Sequence, residues 1–221
     1  MSFLIAVAGK GGVGKSTLSA LLVRILSEED AVLAVDADPN SNLGRKLGTG
    51  VPGTVGQVRE GLLSKGGQPP RDMSKQEYLK LKLREILSEG EGHDLLTMGR
   101  PEGPGCYCYV NNLLRVFVDQ LMDSYRYVVI DNEAGMEHLS RRTAREMDLL
   151  ILVSDPTAVG AETVARLSEL ADELDLRVKR KVLLINAVRP GKESRAKQLV
   201  EGTGLEHFLL HDDDAVREAM L

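Results

Sequence analysis

The stretch Gly9-Lys10-Gly11-Gly12-Val13-Gly14-Lys15-Ser16-Thr17 constrains this chain more than any other. It follows an apolar run, Phe3 to Ala8, and precedes an apolar-periodic run, Leu18 to Leu26. Strand, glycine-rich turn and helix, in that order, are the context that makes G-x-x-x-x-G-K-S a phosphate-binding loop. Glycines at 9 and 14 let backbone N–H groups close around phosphate oxygens, at a helix N-terminus that already favours anions. Lys15 is placed to neutralise the β- and γ-phosphates, and Ser16 to ligate Mg²⁺. Lys10 is a second lysine in the same loop. One loop does not easily aim two lysines at its own phosphates, so Lys10 points to a second subunit.

The rest of the chain alternates apolar runs with helical patterns. Strands are expected at Phe3–Ala8, Ala31–Val35, Asp94–Met98, Tyr127–Ile130, Leu149–Ser154, Val182–Asn186 and His207–Leu210. Helices are expected at Ser16–Glu28, Thr54–Leu63, Ser74–Ser88, Val110–Ser124, Met136–Glu146, Ala158–Leu174 and Glu193–Thr203. Short apolar strands with few charges suit a sheet buried on both faces, hence parallel strands joined by crossover helices. The expected class is α/β, a three-layer, doubly wound, mainly parallel sheet. The 221 residues, 43% of them hydrophobic, suffice for one sizeable core, so one domain over residues 1–221 is expected. Lys65–Arg71 reads as a loop between two helices.

Two strands end in carboxylates. The second leads into Asp36-Ala37-Asp38-Pro39-Asn40, and the fourth into Asp131-Asn132-Glu133-Ala134-Gly135. Parallel sheets place ligands at the carboxyl ends of their strands. Beside a phosphate loop such carboxylates can hold Mg²⁺, directly or through water, and orient an attacking water. Gly135 permits close backbone approach to a γ-phosphate, so this segment is a candidate sensor of hydrolysis. Asn186 ends another strand; its amide can read an adenine edge, although asparagine is also common at strand ends.

Cys106 and Cys108 lie in a Gly- and Pro-rich segment, Gly99 to Tyr109. A C-x-C pair is too tight for an easy mutual disulfide, which leaves metal binding, redox work or burial as small apolar side chains. Two thiolates fill only two positions, whereas Zn²⁺ or Ni²⁺ takes about four. His93 and His138 are remote candidates to complete the set. Two copies of the pair across a two-fold axis would supply four thiolates, again implying a dimer. The net charge of −5 argues against non-specific nucleic-acid binding. No run approaches a membrane span and no cleavable signal opens the chain, so a cytoplasmic protein is expected. Arg141, Arg142 and Arg145, and Arg177, Lys179, Arg180 and Lys181 ahead of a strand, read as solvated or docking faces.

Taken together, the loop with its extra Lys10, Val35-Asp36-Ala37-Asp38-Pro39 and Asp131–Gly135 resemble the deviant phosphate-loop ATPases. That class includes the MinD and ParA positioning ATPases and the nitrogenase iron protein. Within it, Gly99-Arg100-Pro101 through Cys106-Tyr107-Cys108 and Asn132 through His138 resemble CooC-type accessory ATPases for nickel insertion into carbon monoxide dehydrogenase. A sister branch serves acetyl-CoA synthase. The resemblance implies an ATPase using ATP/ADP and Mg²⁺ that dimerises with nucleotide and passes Ni²⁺ to such an acceptor enzyme; Zn²⁺ is an alternative cargo. Lys10 would reach the partner's nucleotide, and Asp38 would orient the hydrolytic water. Asp36 and Asp131 would support Mg²⁺, Asn186 would contact adenine, and Cys106 and Cys108 would bind metal at the dimer interface. No nucleic-acid or membrane partner is implied. The rivals are a MinD/ParA-like positioning ATPase and an iron–sulfur electron donor, although both cysteines in one C-x-C suit a single ion better than a cluster. The family usually carries a further stretch beyond the position of Leu221, so the C-terminus is either truncated or natively short.

Overall fold

The apolar runs of the sequence do form buried strands. In β1 (Phe3–Gly9) and β2 (Val32–Asp36) every residue but Phe3 is buried, as a parallel sheet covered on both faces requires. The computed structural model describes residues 2–63, 69–99, 108–133, 146–174 and 176–218. The further strands are β3 (Ser88–Glu89), β4 (His93–Thr97), β5 (Tyr127–Asp131), β6 (Met147–Ser154), β7 (Val178–Val188) and β8 (Glu206–His211). They share one sheet in the order β3-β4-β2-β5-β1-β6-β7-β8. The pairs β1–β6, β2–β4, β6–β7 and β7–β8 are parallel, and β3–β4 is antiparallel. The expected α/β class with a mainly parallel sheet is the one observed. The helices are α1 (Lys15–Ser27), α2 (Leu43–Leu47), α3 (Val55–Leu63), α4 (Lys75–Ile86), α5 (Cys108–Met122), α6 (Ala158–Glu173), α7 (Glu193–Val200) and α8 (Asp214–Glu218).

Contacts along the chain gather into two compact units, residues 1–3 with 20–130 and residues 4–19 with 131–221. The first unit buries Leu33, Leu43, Leu79, Leu95 and Leu96 almost completely. Helix α4 starts on a capping box: the Ser74 hydroxyl accepts the Glu77 N–H and the Glu77 carboxylate accepts the Ser74 N–H. The pattern suggests a helix to Ser88, but α4 stops at Ile86. Leu87 turns to extended backbone, and Ser88 pairs with Leu95 in an edge strand that periodicity could not reveal. The short α2 also went unread. Its Asn42 cap makes no side-chain bond; instead the Asp36 carboxylate accepts the Leu43 N–H at 3.0 Å from outside the local sequence.

The second unit buries Val7, Met147, Leu150, Leu152, Leu183 and Ile185. Helix α6 presents Gly160, Ala161, Val164, Leu167 and Ala171 inward, a single face at helical spacing. Strand β7 begins four residues before the expected Val182, at Val178. Its basic residues are strand residues rather than a preceding loop. Lys179 meets Asp148 at 2.7 Å, Arg180 meets Glu206 at 2.6 Å and Lys181 meets Asp172 at 2.6 Å. Helix α7 ends at Val200, and a 3₁₀ turn over Glu201–Thr203 closes on Gly204. The helix expected over Met136–Glu146, together with Arg141, Arg142 and Arg145, lies outside the described residues but for Glu146.

Asp148 ties three strands of this unit together. Its carboxylate accepts the Leu4 N–H of β1 at 2.8 Å and the Lys179 ammonium of β7 at 2.7 Å. Burial works against its charge, but the Lys179 and Leu4 hydrogen bonds outweigh it and hold the carboxyl below its ordinary range. Asp148→Ala should cost about 1–3 kcal/mol in urea unfolding at neutral pH, because the Leu4 N–H loses its acceptor. Asp148→Asn keeps an oxygen for Leu4 and should cost less, since the pairing Lys179 is exposed. A depressed carboxylate stabilises above its unfolded pKa and loses that contribution as pH falls through the folded value. The wild-type advantage over Asp148→Asn should therefore hold at pH 5 and shrink below the ordinary value of 3.8.

Candidate functional site

The glycine loop begins where β1 and β6 end together. Gly9 pairs with Val153, and a Cβ at Gly9 would lie 2.3 Å from the Val153 carbonyl oxygen. Only glycine permits that approach, so the first position of the motif is fixed by backbone packing. Lys10, Gly11 and Gly12 are exposed, while Val13 and Lys15 are buried. No atom lies within 4 Å of where side chains at Gly11 or Gly12 would start, so the loop backbone is open to a ligand. The Lys15 ammonium donates to the Lys10 carbonyl at 3.1 Å. Helix α1 follows at once, with the Leu18 N–H on the Gly14 carbonyl and with Ser16 and Thr17 half-buried in its first turn. An open run of backbone N–H groups at a helix N-terminus, with a lysine folded beneath it, fits a polyphosphate.

Two polar groups at the end of β5 hold the strand and the helix that flank the loop within the same unit. Asp131 is fully buried and accepts the Ser19 hydroxyl at 3.1 Å, one turn along α1 from Lys15. Asn132, also buried, donates its backbone N–H (3.0 Å) and its side-chain amide (3.1 Å) to the Val7 carbonyl of β1. Ser19 escaped sequence reading, although a lone small polar residue on an otherwise apolar helix face was its signal. Asn186, near the end of β7, donates its side-chain amide to the Val13 carbonyl at 2.9 Å. Asn186 therefore reaches the phosphate loop itself, a contact that its position after an apolar run did not announce.

The other acidic strand end belongs to the first unit. Asp36 is fully buried; one carboxylate oxygen accepts the Asp38 N–H at 3.1 Å and the other the Leu43 N–H at 3.0 Å. Asp38 is half-buried, and its carboxylate closes a turn by accepting both the N–H and the side-chain amide of Asn40 at 2.8 and 2.9 Å. Ser41, just beyond, takes a positive φ of 50°. Asp36 thus organises the loop that carries Asp38.

Cys106 and Gly135 lie outside the described residues, as does His138. Cys108 opens helix α5. His93 does not serve as a free ligand: one ring nitrogen meets Thr49 Oγ1 at 3.0 Å and the other the Glu91 carbonyl at 3.0 Å. Among the described residues no group of three or more His, Cys, Asp or Glu side chains is arranged to hold a metal ion. Also among them, no helix is long and apolar enough to cross a membrane.

With this geometry in place, the chain compares closely with known proteins. Residues 4–221 match the model of the CobQ/CobB/MinD/ParA nucleotide-binding domain. An uncharacterized ATP-binding protein of Methanocaldococcus jannaschii is 46% identical over 91% of this chain and 81% of its own length. The carbon monoxide dehydrogenase accessory protein CooC of Rhodospirillum rubrum is 33% identical over 78% of this chain and 70% of its own. MinD in the Aquifex aeolicus MinC:MinD complex superposes with a TM-score of 0.73 at 19% identity, over 99% of this chain and 85% of that one. That likeness is one of fold. The chain belongs to the CobQ/CobB/MinD/ParA family of nucleotide-binding ATPases.

Proposed function

We propose that this ATPase is a nickel-binding accessory protein of the CooC kind, in which nucleotide sets the geometry of a metal shared between two copies. The observation that carries the reading is one chain combining an exposed Lys10 in its phosphate loop with a C-x-C at Cys106 and Cys108. The 33% identity to a carbon monoxide dehydrogenase accessory protein supports it. Lys15, buried beneath the loop, is the ammonium for the chain's own β- and γ-phosphates, and Ser16 supplies the hydroxyl ligand for Mg²⁺. When bound, Mg²⁺ neutralises charge on the β- and γ-phosphate oxygens. Gly9, Gly11, Gly12, Val13, Gly14 and Thr17 supply the loop and the first helical turn around those oxygens.

Water, oriented by Asp38, attacks the γ-phosphorus; the bond to the bridging oxygen breaks, ADP leaves with the electron pair, and phosphate keeps the water oxygen. Lys10 of each copy stabilises the charge developing on the other copy's phosphates. Asp36 and Asp131 support Mg²⁺, Gly135 senses the γ-phosphate, and Asn186 contacts adenine. Cys106 and Cys108 from two copies give four thiolates for one Ni²⁺, or for Zn²⁺, and hydrolysis releases the ion to an acceptor such as carbon monoxide dehydrogenase or acetyl-CoA synthase. The protein works in the cytoplasm with reduced thiols.

Lys10→Ala should keep ATP affinity within about three-fold yet lose at least about ten-fold in phosphate release, because its target is charge in the transition state. Lys15→Ala should lose both. Intact turnover in Lys10→Ala removes the cross-subunit role. Isothermal titration with Ni²⁺ should give one ion per dimer for the wild type and none for Cys106→Ala/Cys108→Ala. Undiminished binding in the double variant sinks the metal assignment. Co-sedimentation with liposomes or DNA would favour a positioning ATPase instead.

A further inference from the structure

Strand β7 is irregular where it meets the phosphate loop. Its pairing with β8 is regular up to Ile185↔Leu209 and resumes at Val188↔His211, with a register shift between. Ala187 in that interval has a φ of 55°, one of two described non-glycine residues with positive φ. An alanine in the left-handed region is disfavoured, and such residues persist where the surroundings enforce them. A bulge of this kind re-aims the neighbouring side chain. Asn186 stands within this interval, beside Ala187, and its Nδ2 donates to the Val13 carbonyl at 2.9 Å across 173 residues of sequence.

The contact is close as well as polar. A Cβ at Gly14 would lie 2.4 Å from Asn186 Nδ2, so the amide rests directly on the Gly14 backbone. Val13 is buried, and its methyl group lies 3.3 Å from where a Gly9 side chain would start. The Gly14 carbonyl takes the Leu18 N–H of α1 at 3.0 Å. Val13–Gly14 is thus the point where the loop becomes the helix, and Asn186 grips it there.

We propose that Asn186 is a positioning residue: its amide, aimed by the bulge at Ala187, pins Val13–Gly14 and holds the loop in its phosphate-accepting shape whether or not a base is present. The proposal rests on the nucleotide-binding reading of the loop and adds to the adenine contact a role felt by the phosphates alone. An asparagine amide has two N–H groups and one carbonyl, so the Val13 bond leaves capacity for a base edge on the same side chain. Base recognition and loop shape then share one group. The second glycine of the motif acquires a second reason as well, since any side chain at 14 would displace the tether.

A ligand with phosphates and no base separates the two roles. Dissociation constants for Mg²⁺-tripolyphosphate and Mg²⁺-ATP are measured by calorimetry on the full chain, as wild type, Asn186→Ala, Ala187→Val and Ala187→Gly. Melting temperatures show which variants are folded. Loss of one hydrogen bond should weaken tripolyphosphate about three- to ten-fold in Asn186→Ala. Ala187→Val should do the same, because a β-branched residue resists positive φ, whereas Ala187→Gly should bind as the wild type does. If folded Asn186→Ala binds tripolyphosphate as well as or better than the wild type, the tether is overturned. A weakened ATP complex alongside would leave Asn186 a reader of the base alone; a lower melting temperature alone would leave it a structural residue. Should the wild type bind neither ligand, the nucleotide reading fails, and the tether fails with it.

Discussion

Everything at the loop depends on how closely two parallel strands meet at Gly9. β1 and β6 stay paired from Ile5↔Leu149 through Gly9↔Val153, the last residue of β1. A side chain there would strike the Val153 carbonyl, so any other residue would part the strands before the loop begins. Because they do not part, the chain leaves the sheet at one defined point and turns within five residues, 10–14, into α1. Phosphate binding of this type needs backbone N–H groups fixed in space rather than flexible side chains. The fixing starts with an absent methyl group.

A second constraint is the placing of polar atoms among apolar strands. Asp36, Asp131, Asn132 and Ser154 are buried, and each stands at the carboxyl end of a strand or next to it. A buried carboxylate is costly unless hydrogen bonds replace its water. Asp36 takes two backbone N–H groups, and Asp131 takes the Ser19 hydroxyl. Asn132 places two donors on a single carbonyl of β1. These bonds hold strand ends that would otherwise fray, so each unit carries its acidic or amide groups on a rigid edge. Side chains held this way lose little entropy when a ligand arrives.

What was legible in the sequence was what repeats locally. Runs such as Leu149–Ser154 and the inward face of α6 gave strands and helices, because alternation and helical spacing are imposed by the nearest layer. The glycine loop was legible because its function demands particular residues at particular spacings. What was not legible depends on partners far along the chain. The start of α2 is held by Asp36, seven residues back, not by its own cap residue. Ser19 finds Asp131 across 112 residues, Leu4 finds Asp148 across 144, and Asn186 finds Val13 across 173. Lys179 and Arg180 read as a solvated face and are exposed; what local sequence could not show is their pairing with Asp148 of β6 and Glu206 of β8, or that of the more covered Lys181 with Asp172 of α6. Once those partners are placed, a charged run becomes part of a strand.

The two lysines of the loop sharpen the same point. Both follow glycines in a turn of a few residues, and composition treats them alike. In the fold they divide: Lys15 is buried and its ammonium rests on the Lys10 carbonyl, while Lys10 itself is exposed. A buried ammonium bonded to its own loop is already largely desolvated, so a phosphate bound there as proposed would replace one weak acceptor with a far stronger one. An exposed ammonium has no such advantage at home. It gains most from charge that some other body brings to it and shields from water, because only there does the effective dielectric fall. The proposed contact with a second copy's phosphates meets that condition, and a contact with the chain's own loop would not.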